Sequence, residues 1–231
     1  MRWIILCYFL GLCVAFKTIV IKPGGLKGFY MMGISKYIKD HYNTTNWRYY
    51  GSSAGAWNGL YLTCKNEKIF MDQIYDLHDY VYNDLYDLEK TMKKRILSKF
   101  TLDDFSIDQL NICVTTRKKW SFLLKKNIIS DYRDLDDLVE CCIASSHLPI
   151  ISNGNFFYKY RNILTLDGGF FNNPYDKSKV KPDLVIHPNI WKNKNINSIN
   201  RIHNMDIKLL LNEGYKDAFN HRRELDEKLL C

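Results

Sequence analysis

The run Gly51-Ser52-Ser53-Ala54-Gly55 admits few conformations, and it sits where the pattern of the chain changes. Before it, Trp47-Arg48-Tyr49-Tyr50 reads as a short strand; after it, Ala54 to Leu62 continues as a helix of small and apolar residues. A strand that turns straight into a helix leaves no room for side chains beside the turning residue, and Gly51, Ala54, Gly55 and Ala56 supply that room. Gly51 and Gly55 bracket Ser53 as G-x-S-x-G, whereas a frame centred on Ser52 would put Tyr50 at a glycine position. A serine at such an elbow has a strained backbone and an exposed hydroxyl. Ser53 is therefore the candidate nucleophile.

The rest of the chain repeats the same alternation. Lys17 to Lys22 reads as a buried strand, followed by the loop Pro23-Gly24-Gly25-Leu26-Lys27-Gly28 and a helix over Phe29 to Asp40. Glu67 to about Lys99 is helical in composition, with Phe70, Ile74, Leu77 and Val81 on one face. Leu110 to Thr115 is a further strand, and Trp120 to Lys125 is expected to pair with it. Asp134 to Ser145 reads as a helix; Phe156 to Tyr160, Ile163 to Leu166 and Asp183 to His187 read as short strands. Asp206 to Leu229 is helical, with an interruption expected at Gly214. Strands alternating with helices predict an α/β fold, a largely parallel sheet covered on both faces.

A serine nucleophile needs a base. Of the six histidines, His203 and His221 stand late enough to complete a Ser–acid–His order, but both lie in polar surroundings without a recognisable loop motif. Asp167 is the better candidate. It ends the apolar strand Ile163 to Leu166, at the edge where open parallel sheets assemble their sites, and Gly168-Gly169 lets backbone approach it closely. An exposed aspartate is a weak base, and partial burial beside Ser53 would raise its pKa. Gly24 to Gly28 lies between a strand and a helix, so its amides can converge on one anion. Lys27 is followed by Gly28 and not by Ser or Thr, so it is no phosphate-binding Walker loop. As an oxyanion hole it would use the amides of Gly24 and Gly25, because Pro23 has no N–H.

Composition narrows the remaining choices. The 231 residues suffice for one domain with a proper core, taken as residues 17–231 with a helical C-terminal end. The net charge of +8 favours anionic surfaces, but the basic residues are scattered and no nucleic-acid-binding motif accompanies them, so nucleic acid is not an expected partner. The seven cysteines form no Cys-x-x-Cys pair, and no histidine cluster stands at zinc spacing; no metal is expected. Cys141-Cys142 reads as a pair of small core hydrophobes. Residues 1–16 carry Arg2 and an apolar run from Trp3 to Phe16, short for a membrane span of about 20 residues. That length suits a signal-peptide core, with Cys13 and Ala15 before a cleavage site; an N-terminal anchor or a buried helix is the alternative. Localisation stays open accordingly: secretory pathway or membrane in the first two cases, cytoplasm otherwise.

Taken in order, the glycine loop Pro23 to Gly28, the elbow Gly51 to Gly55, Ala144-Ser145-Ser146-His147-Leu148-Pro149 and Asp167-Gly168-Gly169-Phe170-Phe171-Asn172-Asn173-Pro174 resemble the motifs of the patatin-like phospholipases. Gly214 to Ala218 resembles a helix near that family's domain end, and the likeness spans roughly residues 17 to 220. One departure is Pro23, which replaces the first glycine of the usual loop. The resemblance implies a three-layer α/β/α fold and a Ser53–Asp167 dyad with no histidine, metal or cofactor. It also implies acyl-ester hydrolysis of a phospholipid or other acyl lipid, at a membrane surface. Transfer of the acyl group to another alcohol would use the same dyad, and a non-catalytic membrane-binding protein is the reading from a different class. His147 could line the substrate channel or simply pack. Phe29, Tyr30, Trp57, Phe156 and Phe170 could shape an acyl channel, with core packing as the default. Lipid class, acyl position and oligomeric state are not legible in the sequence.

Overall fold

The computed structural model describes residues 16–117, 123–196, 202 and 205–230. The chain enters it through β1 (Lys17–Ile21), whose last three residues are buried and β-branched. A turn leads into α1 (Gly28–His41), nearly all of it buried, and the chain returns as β2 (Trp47–Gly51), parallel to β1 and in register Ile21 to Gly51. Only Ser52 and Ser53 separate β2 from α2 (Ala54–Thr63).

Then come α3 (Glu67–Tyr75), α4 (Leu85–Lys99), β3 (Leu110–Arg117), β4 (Leu124–Ile129) and α5 (Leu135–Ser146). The hairpin β5 (Tyr158–Tyr160) and β6 (Ile163–Leu166) precedes β7 (Leu184–Ile186), α6 (Ile207–Asn220) and α7 (Arg222–Leu229). Side chains cap four of the helices: Asn66, Asp84, Asp134 and Asp206 each accept a backbone N–H of the first turn.

The fold is a three-layer α/β/α arrangement around one seven-stranded mixed sheet, in the order β5-β6-β3-β2-β1-β7 with β4 also on β3. β1, β2, β3 and β7 are mutually parallel; β6 opposes β3, and β5 opposes β6, so five of the seven strands share a direction.

The pairing of β3 brings two distant parts of the chain together. Ile112 pairs with Gly51 of β2 and with Ile129 of β4, so β2 and β4 lie on opposite edges of β3. Thr115 pairs with Leu166 of β6 and with Lys126 of β4, so β6 and β4 also lie on opposite edges. β2 and β6 therefore share one edge and run head-on along it. Their C-terminal ends face each other across Cys113, with Ser52-Ser53 following one and Asp167 following the other.

Several expectations need correction. The segment 67–99 is not one helix: it breaks after α3, and Asp84 caps a new start, leaving Val81 exposed. The strand pairing with β3 lies at Leu124–Ile129, later than expected, and residues 118–122 lie outside those described. Gly214 does not interrupt α6; the break comes at His221. Gly214 is instead a site of close helix packing, since a Cβ there would stand 1.9 Å from the Tyr30 carbonyl oxygen of α1. The strand carrying Asp167 is antiparallel to its neighbour β3, so the site is not built on a purely parallel edge. The apolar residues 1–15 and His203 lie outside the described part. Cys64, Cys113, Cys141 and Cys142 are buried free thiols.

Candidate active site

Ser53 adopts φ 55° and ψ −130°, a conformation that costs a non-glycine residue about 1–3 kcal/mol. Its surroundings hold it there. The Gly55 amide donates to Ser52 O at 2.8 Å and the Ala56 amide to Ser53 O at 2.8 Å, starting α2 directly at the turn. A Cβ on Gly55 would lie 2.2 Å from the Ile21 carbonyl oxygen, so β1 and α2 meet as backbone on backbone. From the other side, the Ser53 amide donates to Ser145 Oγ at 2.9 Å, and that hydroxyl donates onward to Cys113 O at 2.7 Å. Fully buried Ser145 thus ties the elbow of β2 to the buried Cys113 carbonyl of β3.

Hydrogen bonds fix both the backbone and the side chain of Asp167. Its amide donates to His147 O at 2.8 Å, its carbonyl accepts from Thr115 Oγ1 at 2.8 Å, and Oδ1 accepts the Gly169 amide at 2.6 Å. The other carboxylate oxygen, Oδ2, is buried with no hydrogen-bond partner. Burial raises the pKa to about 6, against the lowering influence of the Ser53 hydroxyl and the Gly169 amide. That is the range in which a carboxylate works as a base near neutral pH.

The glycine loop divides its roles. Gly25 has φ 52° and lines the same cavities as Ser53. Gly24 lines neither: it sits against α1, where a Cβ would approach Met31 Cε to 2.5 Å. Its carbonyl accepts the Lys27 amide at 3.1 Å, closing the turn. Among the described residues no hydrogen bond engages the Gly24 or Gly25 amide.

Two cavities meet at Ser53 and Gly25. A cleft of about 560 Å³ is lined by Lys22, Pro23, Leu148, Pro149, Asp167 and His187, among others. A pocket of about 50 Å³ is almost wholly apolar, lined by Leu26, Phe29, Met32, Trp57, Leu85, Leu88 and Met92, with Glu89 among them. Phe29 and Trp57 therefore line a cavity and Phe170 lines the cleft, whereas Tyr30 is a core residue bonded to Asp217 at 2.7 Å and Phe156 lies on the surface.

The histidines sort by position. His147 is fully buried, with Nε2 3.2 Å from Asn155 O; its ring packs against Tyr158 outside both cavities. His221 lies between α6 and α7, its Nδ1 2.8 Å from Asp217 O and its ring stacked on Trp191. His187 is the histidine at the cleft, its pKa lowered by burial and by Lys22. Sequence reasoning missed His187, Ser145 and Glu89 as residues of the site. His187 and Glu89 are brought there by tertiary packing with no local motif to mark them, and Ser145, though inside the Ala144 to Pro149 run, carries no local sign of its bond to the elbow. Among the described residues no group of three or more His, Cys, Asp or Glu side chains could hold a metal ion, and no helix is long and apolar enough to cross a membrane.

Comparison with known families matches residues 19–177 to the family described as Patatin-like phospholipase. No curated protein sequence matches the chain. Among solved structures, VipD from Legionella pneumophila is similar at a TM-score of 0.38 and 14% identity, over 74% of this chain and 49% of that one. The chain thus spans about half the length of that protein.

Proposed function

We propose that this chain, which belongs to the patatin-like phospholipases, cleaves acyl-lipid esters with Ser53 as nucleophile and Asp167 as base. One observation carries this reading: a buried carboxylate oxygen of Asp167 without a partner, on the cleft that also holds the strained Ser53.

In the proposed reaction, Ser53 Oγ attacks the ester carbonyl carbon and its proton passes to Asp167 Oδ2. The carbonyl π electrons move to the oxygen, which the Gly25 amide on the two cavities would stabilise. Collapse of the intermediate breaks the bond to the leaving alcohol, which takes the proton from Asp167. An acyl-serine remains. Water then attacks it, gives a proton to Asp167, and releases the free acid as the proton returns to Ser53.

The cleft would receive the alcohol portion, with Lys22 as a cation for an anionic headgroup. Exposed Ile150, Ile151 and Phe170 follow or accompany the cleft-lining Leu148 and Pro149, giving the mouth an apolar rim suited to a lipid surface. The net charge of +8 adds attraction to anionic headgroups.

The test is release of free acid from phospholipid and from simple esters by the purified chain, by Ser53→Ala and by Asp167→Asn, with fluorophosphonate labelling as a second readout. The expected result is loss of turnover in both variants and of labelling in Ser53→Ala. Full activity in either variant overturns the dyad.

A further inference from the structure

The pocket behind Ser53 contains one polar side chain that the protein leaves unsatisfied. Helix α4 presents Leu85, Leu88, Glu89 and Met92 to it, the i, i+3, i+4, i+7 stripe of one helix face. Apart from the Ser53 hydroxyl and the Gly25 amide at its mouth, the side chains of Asn58, Trp57 and Ser146 there are bonded within the protein. Asn58 Nδ2 donates to Gly28 O at 3.1 Å and to Ala54 O at 2.9 Å, and its Oδ1 accepts from Ser35 at 3.0 Å. The Trp57 indole N–H donates to Ser146 Oγ at 2.9 Å, and Ser146 donates to Cys142 O at 2.8 Å. Glu89 is 3% exposed, and its Oε2 has no hydrogen-bond partner.

We propose that this pocket holds the acyl chain of the substrate and that Glu89 Oε2 selects acyl chains carrying a hydroxyl group, which it hydrogen-bonds. The assignment rests on the hydrolase reading above. Ser53 lies on both cavities, so an ester carbonyl at Ser53 places its acyl side in this pocket and its alcohol side in the cleft. Glu89 is held neutral: burial raises its pKa to about 8, the charges of Asp167 and Asp84 add to this, and Ser146 and Trp57 pull the other way. A neutral carboxyl is both donor and acceptor, and so is a hydroxyl, so the two match whichever oxygen carries the proton. A plain alkyl chain covers Oε2 and gives it nothing. The volume of about 50 Å³ has room for roughly four water-sized atoms, so the chain is short unless α4 moves outward.

The experiment compares 4-nitrophenyl butanoate with 4-nitrophenyl 3-hydroxybutanoate, whose acyl parts match the size of the pocket, as substrates of the wild type, Glu89→Met and Glu89→Gln. Methionine keeps the volume without the hydrogen bond; glutamine keeps both. In parallel, calorimetry measures binding of the two methyl esters to Ser53→Ala, with and without Glu89→Met. The wild type and Glu89→Gln are expected to favour the hydroxylated ester in kcat/KM by about tenfold or more, and Glu89→Met to lose or reverse that preference. The same selectivity in wild type and Glu89→Met overturns the proposal. Glu89-dependent preference in binding without turnover by the wild type would leave the pocket assignment standing and refute the hydrolase reading. Turnover without Glu89-dependent preference would do the opposite.

Discussion

Replacing Glu89 by glutamine should change how the stability of the protein depends on pH. The side chain is buried, and its pKa in the folded protein is about 8 against 4.5 for the free group. The folded value is raised, so the favourable contribution is complete below the unfolded pKa and is lost as pH rises. Below about 4.5 both states keep the proton. Between about 4.5 and about 8 the unfolded chain releases it while the folded chain holds it. Stability then falls by about 1.36 kcal/mol per pH unit. At pH 7 the loss is about 3 kcal/mol, and above the folded pKa it levels at about 5 kcal/mol. A typical domain is stable by only about 5–15 kcal/mol, so this is a large fraction. Glutamine does not titrate. Urea unfolding of wild type and Glu89→Gln from pH 4.5 to pH 8 should therefore give curves that diverge with rising pH, the variant gaining about 3 kcal/mol relative to wild type by pH 7. Contributions from groups away from Glu89 cancel in the difference. Parallel curves would show that Glu89 ionises normally and would refute the account of the pocket.

The activity should have an acid limb of its own. Asp167 must be ionised to accept the Ser53 proton, so kcat/KM for ester hydrolysis should be level above about pH 6 and fall about tenfold per unit below it. Asp167→Asn should cost about 10²–10⁴ in rate, read in the same assay. Ser145→Ala removes the bridge between the Ser53 amide and the Cys113 carbonyl. It should lower stability by about 1–3 kcal/mol in urea unfolding and slow fluorophosphonate labelling of Ser53. Gly55→Ala sets a Cβ 2.2 Å from the Ile21 carbonyl oxygen, in the middle of the sheet where backbone cannot yield. Thermal unfolding should show a loss of about 1–3 kcal/mol or more, with reduced labelling.

The elements flanking the elbow were legible because local physics decides them. β-branched Ile19, Val20 and Ile21 make a strand in any buried setting, and the small residues around Ser53 allow only a tight turn. Gly214 shows where local reasoning fails: its intrinsic helix cost of about 1 kcal/mol is outweighed by the contact it permits with Tyr30 in α1. The break before α4 was missed because apolar spacing continues through Leu77 and Val81, while the deciding signal was the capping carboxylate of Asp84. Ser53 and Asp167 were legible as types in motifs. That they stand opposite each other depends on β2 and β6 sharing one edge of β3, a property of strand pairing that no local window contains. His187 reaches the cleft because β7 joins the far side of β1.

Asp137, Asp167 and Glu89 show that the fold treats its buried carboxylates in two different ways. All three are less than a tenth exposed. Burial pushes Asp137 upward, but hydrogen bonds and charge from Arg161 and Arg133 reverse the effect and hold its carboxyl far below the usual range. Both its oxygens are bonded, and it braces the start of α5 through the Arg133 amide. No cation pairs with Asp167 or Glu89 among the described residues, each keeps one oxygen unpartnered, and both are raised. Selection for stability alone would remove such groups, since an unpaired buried carboxyl destabilises the fold wherever it stands. Their placement is not scattered: both border the cavities that meet at Ser53, the one described residue whose strained backbone joins a strand directly to a helix. Three unfavourable features concentrated within one site are what a preorganised reaction centre requires, because groups already desolvated and already strained need no reorganisation when the ester arrives.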